Sequence, residues 1–287
     1  MEVKNTNLII PMAGSGSRFK IAGYKCYKPF IKINDKFMID YVIDNFPAEI
    51  KKFFLVDRNL LTDKQLTYLS QKNNSTVIVI NPHKLGPGYS VFKAKEELPL
   101  EESFFIAYND VYWKWNYHNF FDSLEEEGII FVNHGFHPHL IKPSYSGFCV
   151  EDEARKNYVK DLNIKGSFTD DWMNKEFLDA AVYFFKNGTQ LIENLALDIH
   201  QKNNISGEYF IPSALRRMIS DEIPVMYHKV DFFIHWGIPE QLEDYNLWND
   251  AFSNKDHEFL KKYKSSNDRN YQHTFSFWSN HFLGKSN

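Results

Sequence analysis

Cysteine is scarce in this 287-residue chain: Cys26 and Cys149 are the two, far apart and outside any metal-binding spacing. A disulfide framework is therefore excluded as the basis of the fold, and a reducing compartment is expected. The first residues, MEVKNTN, lack the apolar core of a signal peptide, and no apolar run reaches the ~18 residues of a membrane span. The expectation is a cytoplasmic protein with no membrane partner. A basic excess is also missing, since 33 Lys and Arg face 37 Asp and Glu for a net charge of −4. That balance argues against a nucleic-acid partner, whose footprint would be positive. It leaves room for a phosphorylated small molecule, which needs only a locally positive pocket. Internal repeats and long low-complexity linkers are absent as well. What the chain has in quantity is aromatic residues, 17% of the total with 26 Phe and 16 Tyr, enough for a sizeable core.

Short apolar runs at residues 8–11, 53–56, 77–80, 104–107 and 129–132 read as buried strands. Amphipathic stretches at 38–45, 63–71 and 90–97 lie between them and read as helices. That alternation predicts an α/β fold with a Rossmann-like, mostly parallel sheet flanked by helices. Residues 148–150, 158–164 and 179–185 read as further strands, partly antiparallel, and 190–203 and 213–220 as helices. Pro239 opens another helix, and from Ser253 the chain turns polar. The expected organisation is one domain over 1–250, with a smaller, partly antiparallel elaboration near 133–230 and a peripheral helical extension over 251–287. The extension is also a candidate homo-oligomer interface.

Residues 8–30, LIIPMAGSGSRFKIAGYKCYKPF, carry the most chemistry. A strand ends at Pro11 and passes into Met12, Ala13, Gly14, Ser15 and Gly16, followed by Arg18 and, ten residues on, Lys28-Pro29. Glycines let backbone N–H groups approach a phosphate chain, and Arg and Lys add full charge. The dinucleotide pattern G-x-G-x-x-G fails because position 19 is Phe19, and the G-x-x-x-x-G-K-[ST] loop has no match. A Gly/Ser-rich surface turn with an incidental arginine is the plain alternative. Asn109 and Asp110 follow the apolar run at 104–107. A carboxylate at a strand end facing a phosphate loop suits Mg²⁺ held together with phosphate oxygens, although Asn-Asp pairs also favour turns.

G-x-G-x-R with a downstream Lys-Pro resembles the signature of the nucleotidyltransferases that make sugar nucleotides. The run YNDVYWKW followed by GFHPH is similar to a branch associated with capsule and surface-polysaccharide synthesis. Ala180 to Phe185, Gly207-Glu208-Tyr209 and Trp236-Gly237-Ile238-Pro239-Glu240 match further family segments in order, over roughly residues 6–250. The resemblance implies transfer of a nucleotidyl group from an NTP, with CTP favoured, to a phosphorylated sugar or polyol, releasing pyrophosphate. It implies Arg18, Lys28 and Asp110 as catalytic residues, with Asp110 also the Mg²⁺ ligand. Met12 to Gly16, Gly86, Tyr89 and Asn109 would bind nucleotide, and Lys165, Glu208 and His137 would bind acceptor. Two family acids are missing: the Glu expected before Lys165 falls on Ile164, and the Asp before the closing turn falls on His235. Those losses put an ordinary hexose 1-phosphate in doubt and leave one or two metal ions open.

His134, His137 and His139 cluster, but Pro138 interrupts them and the spacing fits no zinc pattern, which favours a pocket-lining loop. The loop from His83 to Gly88 either approaches the nucleotide base or simply joins strand to helix. Trp113 and Trp115 either stack on a ligand or serve the core. Two other functions compete. A glycosyltransferase would want a second acid after Asp110, where the chain has Val111 and Tyr112. A non-catalytic nucleotide sensor would not need to keep Arg18, Lys28 and Asp110.

Overall fold

The computed structural model describes residues 6–121, 126–140 and 146–284. Residues 1–5, at the head of the expected 1–250 domain, and 285–287, at the end of the expected extension, lie outside the described residues. Among the described residues thirteen strands run in chain order as β1 (Thr6–Pro11), β2 (Lys32–Ile33), β3 (Lys36–Phe37), β4 (Lys51–Asp57), β5 (Ser75–Ile80), β6 (Ser103–Ala107), β7 (Val111–Lys114), β8 (Gly128–His134), β9 (Phe148–Asp152), β10 (Arg155–Asn163), β11 (Phe177–Phe185), β12 (Val225–Lys229) and β13 (Phe232–His235). The helices are α1 (Ser17–Ile21), α2 (Met38–Ile43), α3 (Asp63–Ser70), α4 (Gly86–Lys93), α5 (Tyr117–Phe121), α6 (Trp172–Lys175), α7 (Thr189–Gln201), α8 (Ile211–Ser220), α9 (Pro239–Ser253), α10 (His257–Lys264) and α11 (Arg269–Leu283).

Nine strands form one sheet in the order β5-β4-β1-β6-β11-β8-β12-β10-β9, and β11 also pairs with β9. That last pairing closes β11, β8, β12, β10 and β9 into a five-stranded barrel. Within it only β8–β12 is parallel; the other four pairings are antiparallel. The parallel strands β5, β4, β1 and β6 attach through an antiparallel β6–β11 pairing. The expected Rossmann-like, mostly parallel sheet is therefore wrong: the sheet is mixed, and a mostly antiparallel barrel makes up five of its nine strands. The reason is physical. An apolar run reports that a strand is buried, not which way it runs, and β11 is buried between β6 and β8 while antiparallel to both.

Both faces of the parallel part are covered, as continuous apolar strands require. Leu8 and Ile10 of β1 enter one core with Phe54, Phe105 and Trp113, and Ile9 enters the other with Leu55, Val91 and Ile106. A third core joins Phe19, Trp236, Trp248 and Trp278, so the C-terminal helices are packed onto the site-bearing loop and not loosely appended. Register shifts in β10 and in β11 between Asp179 and Tyr183 supply the bends a small barrel needs. The second of these shifts also shapes the site.

Candidate functional site

Gly16 ends the phosphate-type loop in a left-handed conformation, φ 62°, and caps α1. A Cβ there would come within 3.1 Å of the Lys28 Cβ, so glycine lets the loop cross Lys28. Gly14 differs, because nothing lies within 4 Å of where its Cβ would be. The protein itself gives Gly14 no steric reason to be glycine, and the open space faces the cleft. Phe19, the residue that breaks the dinucleotide pattern, is buried in the third core, and the Lys28 ammonium stands 4.9 Å above its ring.

Lys28 Nζ donates to Asp110 Oδ2 at 2.6 Å and to the Gly237 carbonyl at 3.0 Å. Asp110 stands just past β6, where Asn109 Nδ2 donates to the Pro11 carbonyl at 2.8 Å and ties the two strand ends together. The β7–β13 ribbon sets His235 opposite Val111, and Trp236 N donates to the Asp110 carbonyl at 2.9 Å. His235 Nε2 thereby lies 3.6 Å from Asp110 Oδ2. Burial works to raise the Asp110 pKa, but Lys28 and His235 outweigh it and hold the carboxyl far below its ordinary range. The His235 ring needs Gly237 beside it, since a Cβ there would fall 2.3 Å from Cε1.

Two cavities adjoin at this point. The first, about 310 Å³, is lined by Gly14, Ser15, Ser17, His83, Gly86, Asn109 and Asp110. The second, about 180 Å³, is lined by Arg18, His137, His139, Lys165, Asp179, Tyr183 and His235. Tyr108, Glu208 and Phe210 line both, so the two form one cleft. Lys165 Nζ lies 5.0 Å over the Phe210 ring at that junction. Gly86, at φ 84°, and Gly88 let α4 press against the Glu208-Tyr209 segment, which Gly88 N and Tyr209 N join to the loop by hydrogen bonds of 2.8 Å each.

In the second cavity the histidines are held by protein groups. His137 Nδ1 accepts from His139 N and Nε2 donates to the Phe233 carbonyl, both at 3.1 Å, while burial pushes its pKa well down. The ring is a neutral wall. His139 Nε2 meets Asp244 Oδ2 at 2.9 Å. Among the described residues no group of three or more His, Cys, Asp or Glu side chains is placed to hold a metal ion. With Glu208, Asp179 lines this cavity as an acid. Its Oδ1 accepts from Ala181 N and its Oδ2 from the Tyr183 hydroxyl, each at 2.7 Å. Ala181 takes φ 56° at the β11 register shift, a strained conformation for a residue with a side chain.

Asp110, Asn109, the Gly14 loop and Gly86 thus come together at the first cavity, and Lys28 joins them through its bond to Asp110. Arg18, Lys165, Glu208 and His137 line the second. The Met12 side chain is fully buried, and Tyr89 packs on His83 and Tyr209 with ring centroids 4.9 and 6.3 Å away. Trp113 is fully buried in core contacts, which places it with the structural aromatics. Sequence reasoning passed over Asp179, Tyr108 and Gln241. Gln241 Oε1 accepts from Gly237 N at 2.9 Å and steadies the turn that carries His235. The signal for Asp179 was an acid at the head of an otherwise apolar strand run.

No family model matches the chain, and no curated protein does. Solved structures do. A nucleoside-diphosphate-sugar pyrophosphorylase from Vibrio cholerae RC9 matches with TM-score 0.67 at 17% identity, over 83% of this chain and 98% of that one. The inositol-1-phosphate CTP transferase from T. maritima gives 0.61 at 15%, over 84% and 93%. The CTP:phosphocholine cytidylyltransferase from Streptococcus pneumoniae gives 0.62 at 15%, over 84% and 97%. At these identities the likeness speaks to architecture, and the chain has the fold of the sugar-nucleotide nucleotidyltransferases.

Proposed function

We propose that this protein is a nucleotidyltransferase that moves a nucleotidyl group from an NTP, with CTP favoured, to a phosphorylated sugar or polyol, in surface-polysaccharide precursor synthesis. One observation carries the reading: the Lys28–Asp110 pair, at 2.6 Å, closes the strand-end cleft between an open glycine loop and a second cavity bearing Lys165. The acceptor's phosphate oxygen attacks the α-phosphorus in line, and the bond to the β-phosphate oxygen breaks to release pyrophosphate. The acceptor is already an anion near neutral pH, so the protein's task is positioning and charge neutralisation. The Gly14 loop cradles the triphosphate and Lys28 steadies the α-phosphate, while Arg18, which lines the second cavity, adds positive charge on the acceptor's side of the junction. Lys165 draws the acceptor's phosphate to the junction against its repulsion from the nucleotide.

The donor set fits Mg²⁺. Asp110 offers one ionised carboxylate, engaged through Oδ2, and Mg²⁺ is commonly held by one or two carboxylates plus substrate phosphates and water. Asp110 would hold the ion, and the ion would supply positive charge at the phosphate oxygens. The absence of a second acid, with His235 in its place, favours a single metal ion.

The test is a thermal-shift screen with each NTP and Mg²⁺, followed by a pyrophosphate-release assay with phosphorylated acceptors. One NTP should stabilise the protein by mass action, and pyrophosphate should appear with that NTP and an acceptor. Release of free NDP from a nucleotide sugar instead would overturn the assignment in favour of glycosyl transfer.

A further inference from the structure

The acceptor cavity contains a charge of the wrong sign for a phosphate. Asp179 lines it together with Lys165, yet among the described residues no Lys, Arg or His nitrogen lies within ion-pair distance of its carboxylate. Its two hydrogen bonds, from Ala181 N and the Tyr183 hydroxyl, each leave an oxygen lone pair to spare. Burial raises its pKa to about 6, as expected of a carboxylate with no cation beside it. Arg18, Lys165, His139 and His235 line the cavity with it, but none of them pairs with the carboxylate, and the His235 Nε2 is turned to Asp110 at 3.6 Å.

The placement is enforced rather than incidental. Ala181 holds φ 56° to aim its N–H at Oδ1. A Cβ on Gly147 would stand 3.2 Å from the Asn163 and Ile164 carbonyl oxygens and 3.3 Å from Oδ2, so glycine lets these groups approach one another. Tyr108, Tyr183, Phe210 and Phe233 supply ring surface in the same cavity. An unpaired carboxylate among aromatic rings is complementary to an organic cation, which rings attract through their faces. A neutral hydroxyl would leave the carboxylate charge uncompensated.

We infer that the acceptor is a phosphate monoester carrying an ammonium group, its phosphate at Lys165 and its ammonium against Asp179 and the surrounding rings. The inference rests on the nucleotidyl-transfer reading but departs from a plain sugar or polyol phosphate as its acceptor.

The decisive comparison uses the wild-type protein, the stabilising NTP and three acceptors: choline phosphate, its neutral carbon isostere 3,3-dimethylbutyl phosphate, and ribitol 5-phosphate. Choline phosphate should exceed both others in kcat/KM, the isostere by a factor on the order of 30. Asp179→Asn should shrink that ratio towards one while the NTP-induced thermal shift, which reports folding and nucleotide binding, persists. Equal rates for choline phosphate and its isostere, or the highest rate with ribitol 5-phosphate, would overturn the inference and leave nucleotidyl transfer standing. Failure of every NTP to stabilise the protein, with no pyrophosphate from any acceptor, would overturn the broader reading itself.

Discussion

The two halves of the cleft are built by different means. The half proposed for the nucleotide sits at the ends of parallel strands β1 and β6 and offers largely backbone, with Gly14 opening the main chain to the cleft and Asn109 tying the strand ends. The half proposed for the acceptor sits by the closed barrel and offers side chains, with Asp179 from β11, His137 from the stretch after β8 and Lys165 from the stretch after β10. A backbone cradle suits a ligand part common to every NTP. A side-chain wall can be rebuilt residue by residue to fit one acceptor. The Lys28–Asp110–His235 cluster lies at the seam.

The largest test of that division strikes the seam. Asp110→Asn should lower turnover by about 10²–10³, the usual loss for one preorganised electrostatic contact, as read by pyrophosphate release. Far-UV circular dichroism should show the fold retained. Near wild-type turnover would show that the two halves do not need the seam.

The two loop glycines offer a sharper contrast within one half. Gly16→Ala should destabilise the protein by about 1–2 kcal/mol, because a left-handed residue gains a Cβ against Lys28. Gly14→Ala should leave urea unfolding unchanged and instead weaken NTP binding. If both variants lose stability equally, the open space at Gly14 is not ligand space.

The smallest effect is a pH signature confined to the acceptor half. Folding raises the Asp179 pKa from an ordinary value near 3.8 to about 6. Between those values the folded state binds more protons than the unfolded one, so this group's contribution to stability falls as pH rises through the window. Asp179→Asn should therefore melt higher than wild type at pH 7.5, with the gap closing towards pH 4. An unchanged gap across that range would show that the carboxylate is already neutralised within the protein.

The same contrast explains what the sequence disclosed. The glycine loop, Lys28 and the Asn109-Asp110 pair lie within contiguous motifs at strand ends, and backbone chemistry of that kind is written locally. Asp179 was hidden because its role comes from a register shift and from Tyr183 and Ala181, features of strand pairing that a one-dimensional pattern does not carry. The barrel was missed for a related reason: β8 and β11 are both largely apolar runs, and direction is settled by which edge each strand meets. The position of His235 was visible as a departure from the family pattern, but not its place beside Asp110, which depends on the β7–β13 register.

That ribbon has an evolutionary consequence. Successive residues along a strand face opposite ways, and here His235 borders the cleft while the adjoining Trp236 is fully buried in the tryptophan-rich core. Inserting or deleting one residue upstream in β13 would send the indole into the binding site and the imidazole into the core. Chemistry and architecture are thus committed to the same spacing, so descendants of this chain can change this corner by substitution far more readily than by a change in length.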